Sequence, residues 1–335
     1  MRGGVAQGFS IEEISIAFGS VYESASEVLA GLNEIKISQF CKTHGINGHY
    51  ICASDEFASD LCLRAISGLS SASVAGAECL VVATHTPDFL APATSNLVHR
   101  ALGLDERVVC FDLQLFCSGF VKALFMANLL LDKFKSVLLC CVSTKSKSLD
   151  PDNLAQKASI SDSASALIIR RKECEIKPSF SELSLSELAC VETAPFGGYN
   201  KMVANDYVSL DNSSFFNEVF DKFPPFFKDF TGSLGAYFSD DTPCFFHLPS
   251  EFFASRLKGT LGLSDNQCVS LSLKKYANTD INNIPLNLAL YVKNHASIKP
   301  KSTALLASYG TGISLNSLFC EIEFSKIKAS ILAEK

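Results

Sequence analysis

The chain has no tryptophan, no cluster of lysine and arginine, no long charge run and no CxxC or Cys/His zinc spacing in its 335 residues. Most of these absences exclude a class of function. Phosphate backbones bind concentrated positive charge, so a chain of net charge −6 with scattered basic residues is not expected to take a nucleic acid as partner. No uncharged apolar run reaches the length of about 18 residues that spans a bilayer, so no membrane span is expected. The opening "MRGGVAQGFSIEE" has no apolar core of a signal peptide. Charged residues make up only 19% and hydrophobic ones 47%, a balance that excludes disorder and implies a large packed core. No metal site is expected.

Cysteine, by contrast, is abundant. There are thirteen, an odd number at irregular spacing, which does not describe a disulfide framework. Cys140 and Cys141 lie inside the apolar run "SVLLCCVS", where a thiol acts as a small hydrophobe. A reducing cytoplasm is the setting this usage implies.

Short apolar runs recur with helical segments between them: residues 79–84, 107–113, 136–143 and 164–171, then 243–248, 268–273, 303–310 and 317–324. Buried strands alternating with helices predict an α/β fold, and the repeated order suggests two duplicated halves. The boundaries read as residues 1–171 for the first half and 243–335 for the second. Residues 172–242 connect them, with "APFGGYN" as a turn and a helix interrupted at Pro224-Pro225.

Three residues sit at predicted strand-to-helix turns. Cys117 in "FDLQLFCSGF" precedes a helical pattern, whose N-terminus favours thiolate over thiol. His247 ends the run "FFH", and Asn278 in "KKYANTD" follows another strand. Singly, each has an ordinary explanation: core thiol, structural histidine, helix cap. Together they supply a nucleophile, a proton-handling donor and a neutral hydrogen-bond donor. The glycine-rich turn "SYGTG" at 308–312 adds backbone N–H groups suited to an oxyanion.

These segments, in order and separation, resemble the β-ketoacyl-acyl-carrier-protein synthase III family of the thiolase superfamily. "TPDFLAPATSNLVHRALGL" is similar to the family's "TPD…P(S/A)…LG", "FDLQLFCSGF" to its "FD…CSGF", and "SDSASALI" to "GDGAGA" with Asp162 kept. "FFHLPS" corresponds to "HQAN", "YANTDINNIPLNLAL" to "GNTS…IPLAL", and "SYGTGISLNSL" to "FGGGFTWGS". The resemblance implies a thiolase-like fold in α-β-α-β-α layers and a homodimer.

It also implies roles. Cys117 takes an acyl group from a thioester, and its backbone N–H with that of Thr311 holds the oxyanion. His247 and Asn278 stabilise the enolate formed when a malonyl thioester loses carbon dioxide. Leu115, Phe116, Ser250, Gly310 and Gly312 fall at substrate-binding positions, and Arg256 and Lys258 on the helix after His247 are candidates for docking an acyl carrier protein. No cofactor is implied, only acyl-coenzyme A or acyl-carrier thioesters as substrates.

Departures from the family pattern qualify this. The missing tryptophan and Thr43, where an arginine is expected in "KTHGI", weaken a coenzyme A clamp, and Lys147 replaces a second arginine. Ser250 and Phe252 replace an asparagine and an arginine after His247, and Leu115 and Phe116 replace small residues before the nucleophile. Two rival readings stand: acyl transfer from Cys117 to a hydroxyl or amine without decarboxylation, and a non-catalytic partner subunit of another synthase.

Overall fold

The structure, a computed structural model, describes residues 6–185, 192–193, 207, 209–210, 212–294 and 302–332; the expected "APFGGYN" turn lies outside them. Two mixed sheets carry the architecture. The first contains β1 (Ala6–Phe18), β2 (Cys79–Thr84), β3 (Val109–Gln114), β4 (Ser136–Ser143) and β5 (Ser163–Cys174). The second contains β6 (Ser179–Ser184), β7 (Cys244–Phe246), β8 (Cys268–Val269), β9 (Ser302–Gly310) and β10 (Ser314–Ile322). β11 (Lys328–Leu332) returns to the first sheet and runs parallel to β1.

The strand orders are β3-β2-β4-β5-β1-β11 and β8-β7-β9-β10-β6. In each, the first three strands are mutually parallel and the next two antiparallel. The halves therefore share order and polarity, so β2, β3 and β4 correspond to β7, β8 and β9. Like ends of corresponding strands carry the functional turns.

Layering follows from alternation along each strand. Cys79, Val81 and Ala83 of β2 join one core with Phe120, Val121 and Leu124 of α4 (Gly119–Leu130), Ile284 and Leu288 of α7 (Asn283–Asn294), and Ala304 and Leu306 of β9. The intervening Leu80 and Val82 face α2 (Ala58–Ser67) and α3 (Thr94–Leu102). On the far side, Leu305 and Tyr309 of β9 meet α5 (Asn212–Leu234) and α6 (Glu251–Leu261). Helix pairs thus alternate with sheets in the five layers expected.

Two local expectations are corrected. α5 is not interrupted but runs through Pro224 and Pro225. Each interior proline costs about 3 kcal/mol. The stripe Phe215, Val219, Phe223, Phe227 and Phe230 buries five apolar side chains against the second sheet, at about 1.5–3 kcal/mol apiece, which outweighs that cost. The strand expected at 268–273 pairs only at Cys268 and Val269, because the Asn287 side chain captures the next backbone. Its Oδ1 accepts from the Leu271 N–H at 2.7 Å and its Nδ2 donates to Ser272 Oγ at 3.0 Å. Among the described residues no helix is long and apolar enough to cross a membrane.

Candidate active site

The thiols separate into two kinds of surroundings. All twelve cysteines in the described residues are free, and most fill the core. Burial pushes the Cys268 thiol up to about 11 and the Cys320 thiol up to about 12, leaving both inert at neutral pH. Cys117 is set apart by position: it lies in the turn after β3, two residues before α4, with backbone groups of the other half against it.

Three contacts hold that turn. The Cys117 thiol points to the Tyr309 carbonyl oxygen at 3.8 Å. Ser308 Oγ donates to the Ser118 carbonyl at 2.8 Å, and Ser118 Oγ meets Ser314 Oγ at 3.0 Å. β9 passes so close that a Cβ on Gly310 would overlap Cys117 Sγ and crowd the Ser118 backbone nitrogen. Glycine is required there by space, whereas Gly312 sits at φ 78° and is required by backbone conformation. Thr311 lies between them, half-buried.

His247 follows β7 and is buried. Its own N–H donates to Ala307 O at 3.2 Å, and its carbonyl accepts from the Tyr309 hydroxyl. The Tyr309 ring stands edge-on to the imidazole with centroids 5.7 Å apart, so one tyrosine touches both Cys117 and His247. Asn283 clamps the next residue from both sides, accepting from Leu248 N at 3.2 Å and donating to Leu248 O at 2.9 Å. Ser250 uses its hydroxyl to cap α6, accepting from Phe253 N at 3.2 Å.

Asn278 is fixed by its backbone on both sides, donating to Ser159 O at 3.0 Å and accepting from Ser161 N at 2.9 Å. Its side-chain Oδ1 accepts from the Asp280 N–H at 2.9 Å. A backbone N–H can only donate, so this bond identifies the oxygen end of the amide and leaves the Nδ2 donors on the other side.

Leu115 packs on the central core and is bonded through its N–H to Thr84 O at 3.2 Å. The Phe116 ring stacks on His85 with centroids 3.7 Å apart, and the Lys145 ammonium lies 5.6 Å from the same ring. Arg256 and Lys258 are both engaged on the surface of α6, Arg256 over the Phe220 ring at 4.3 Å and Lys258 in an ion pair with Asp265. Lys147 donates to the carbonyls of Ala53 and Ser54 at 2.8 and 3.2 Å, and Thr43 is exposed on α1 (Glu34–His44).

Sequence reasoning missed His85, Lys145 and Asp280, all buried. A signal existed for two of them. His85 follows β2 as His247 follows β7, and Lys145 follows β4 as Thr311 follows β9. Among the described residues no group of three or more His, Cys, Asp or Glu is arranged to hold a metal.

Comparison with known proteins agrees with this architecture. Residues 111–185, which contain the nucleophile turn, match the family model for 3-oxoacyl-[acyl-carrier-protein (ACP)] synthase III. The putative 3-oxoacyl-[acyl-carrier-protein] synthase 3 of Campylobacter jejuni is 26% identical over 307 residues, covering 85% of each chain. The β-ketoacyl-[acyl-carrier-protein] synthase III of Pseudomonas aeruginosa is 26% identical over 283 residues, 82% of this chain and 84% of that one. Among solved structures, a 3-oxoacyl-(acyl-carrier protein) synthase from Burkholderia xenovorans superposes with a TM-score of 0.88 at 20% identity over 98% of this chain and 99% of its own. OleA of Xanthomonas campestris gives 0.76 at 15% identity, over 94% of this chain and 98% of its own.

The two like sheets around a buried helical layer are thus a thiolase-like fold. Within that class, the chain is similar to proteins of the 3-oxoacyl-[acyl-carrier-protein] synthase III family.

The close passage at Gly310 generates a direct test. Gly310→Ala should displace the nucleophile turn and slow alkylation of Cys117 by iodoacetamide, followed by peptide mass mapping, about tenfold or more. Gly259→Ala, in open space on α6, should leave that rate unchanged. Equal rates in wild type and Gly310→Ala would show that the passage does not constrain the thiol.

Proposed function

We propose that the protein is a condensing enzyme that joins two acyl thioesters through Cys117. The observation that carries this reading is the meeting of Cys117 and His247 on Tyr309, with Gly310 flush against the sulfur. In the first half-reaction the Cys117 thiolate attacks the carbonyl carbon of an acyl thioester, and the carrier thiol leaves with the proton. The backbone N–H groups of Cys117 and Thr311 receive the oxyanion of the tetrahedral intermediate.

In the second half-reaction a malonyl thioester enters, and His247 and Asn278 donate hydrogen bonds to its thioester oxygen. Cleavage of the bond to the carboxylate releases carbon dioxide and leaves an enolate whose charge these donors hold. The enolate carbon then attacks the acyl-cysteine, giving a 3-oxoacyl thioester and restoring the thiolate. Carbon dioxide release supplies the driving force, so the reaction as written uses no bound cofactor.

Mass spectrometry and carbon dioxide release test the two halves separately. Wild-type protein incubated with acyl thioesters should gain one acyl mass on Cys117, and Cys117→Ala should gain none. His247→Ala and Asn278→Ala should retain most of the acylation while losing about 10²–10³ in carbon dioxide release, the usual effect of removing one such donor. Equal loss of both half-reactions would favour simple acyl transfer instead.

An acyl carrier protein is the proposed donor. Coenzyme A needs cationic partners for its phosphates, yet Thr43 carries no charge and Lys147 is bonded to backbone carbonyls. With one acyl chain offered on both donors at equal concentration, Cys117 should label faster from the carrier protein; faster labelling from coenzyme A would overturn the assignment.

A homodimer is also proposed. β3 is an edge strand of the first sheet with Val109 exposed on it, and Phe89 and Leu90 before α3 and Met126 and Leu129 on α4 are exposed as well. An apolar edge of this kind is a pairing surface. Light scattering at micromolar concentration should give twice the 36.2 kDa chain mass, and a monomer would contradict the proposal.

A further inference from the structure

Asp280 is used by no step above, yet it is bonded to Asn278 and its charge acts on His247. It is 1% exposed and holds a backbone φ of 54°, a left-handed conformation costly for most residues and more readily adopted by Asp and Asn. Its N–H bonds Asn278 Oδ1 at 2.9 Å. Its carboxylate accepts from Ser143 Oγ at 2.8 Å and lies 3.5 Å from His85 Nε2.

The charged and titratable groups facing it come from three strand ends: His85 after β2, Lys145 after β4 and His247 after β7. Burial alone would raise the Asp280 carboxyl. The charges of His85, Lys145 and His247, with the Ser143 hydroxyl, outweigh burial and hold it below the ordinary carboxylate range. Asp280 is therefore a buried anion at neutral pH. Tyr309 also stands against His247, and burial raises its phenol far above the ordinary range, so it stays neutral; the Cys117 thiol lies on the other side of the same tyrosine.

We propose that Asp280 is the positioning residue of the condensing step, orienting the Asn278 amide through its backbone and setting the protonation of His247 through its carboxylate. The proposal rests on the reading that His247 and Asn278 serve the malonyl half-reaction. A buried anion favours imidazolium over imidazole, while Lys145, a cation addressing the same carboxylate, opposes that preference. The two residues therefore act on His247 with opposite signs. Neither effect needs a change in shape.

Histidine-ring NMR on the full-length protein measures this without any substrate, with the His247 signal assigned by its loss in His247→Gln. Asp280→Asn keeps the backbone N–H and removes the charge, so the His247 titration midpoint should move to lower pH by about one unit. Lys145→Met should move it to higher pH, which provides a second reading if the first variant folds poorly. In Asp280→Asn the limb of the pH profile for carbon dioxide release set by His247 should follow the same shift. The total acyl mass gained on Cys117 should not change. A His247 midpoint unmoved by both variants overturns the proposal. Shifted midpoints together with carbon dioxide release indifferent to His247→Ala would instead overturn the functional reading and leave the charge coupling standing.

Discussion

The site depends on one close approach, the passage of Gly310 against Cys117. Two sheets built from different halves of the chain meet there with no side chain between them. The contact is made by backbone and sulfur, and Ser308, Ser118 and Ser314 stitch its margins with hydrogen bonds. Because the strand on one side is anchored along nine residue pairs to β10, Cys117 is referenced to a rigid element of the other half. Tyr309, the neighbour of Gly310, carries the same reference to His247. Moving β9 would move both partners, which is why a glycine and a buried tyrosine stand side by side there.

The fold was legible because apolar runs mark buried strands almost residue by residue: 79–84 and 136–143 coincide with β2 and β4. Local signals misled where tertiary contacts overrode them. Pro224-Pro225 reads as a break only if the apolar stripe on both sides is ignored, and "SLSL" reads as strand until Asn287 takes the Leu271 N–H and the Ser272 hydroxyl. The turn that carries Cys117 was legible through its motif and its place before α4. His85 and Lys145 were legible only through the correspondence between halves, and Asp280 was not, because an aspartate in a turn has ordinary explanations.

The surroundings of Phe116 show how a sequence departure becomes local structure. A large ring before the nucleophile is accommodated by stacking on His85 and lying beneath Lys145. A small residue would remove the ring contact from both His85 and Lys145. The ring and the charged group therefore form a single packing unit. Asp162 has a comparable role near the start of β5, where its buried carboxylate accepts from Cys52 N and Ser146 N at 2.9 Å each and ties two loops to that strand.

The shared order and polarity of the two sheets also bear on ancestry. Two identical half-length polypeptides pairing about a twofold axis would present each strand-end residue twice, and neither copy could change without the other. Joining them into one gene product releases that restriction. By place in the two sheets His85 and His247 still match, whereas Cys117 corresponds to Asn278 and Lys145 to Thr311. The proposed reaction is asymmetric, one side accepting an acyl group and the other holding an enolate, and independent change of the two halves permits that asymmetry.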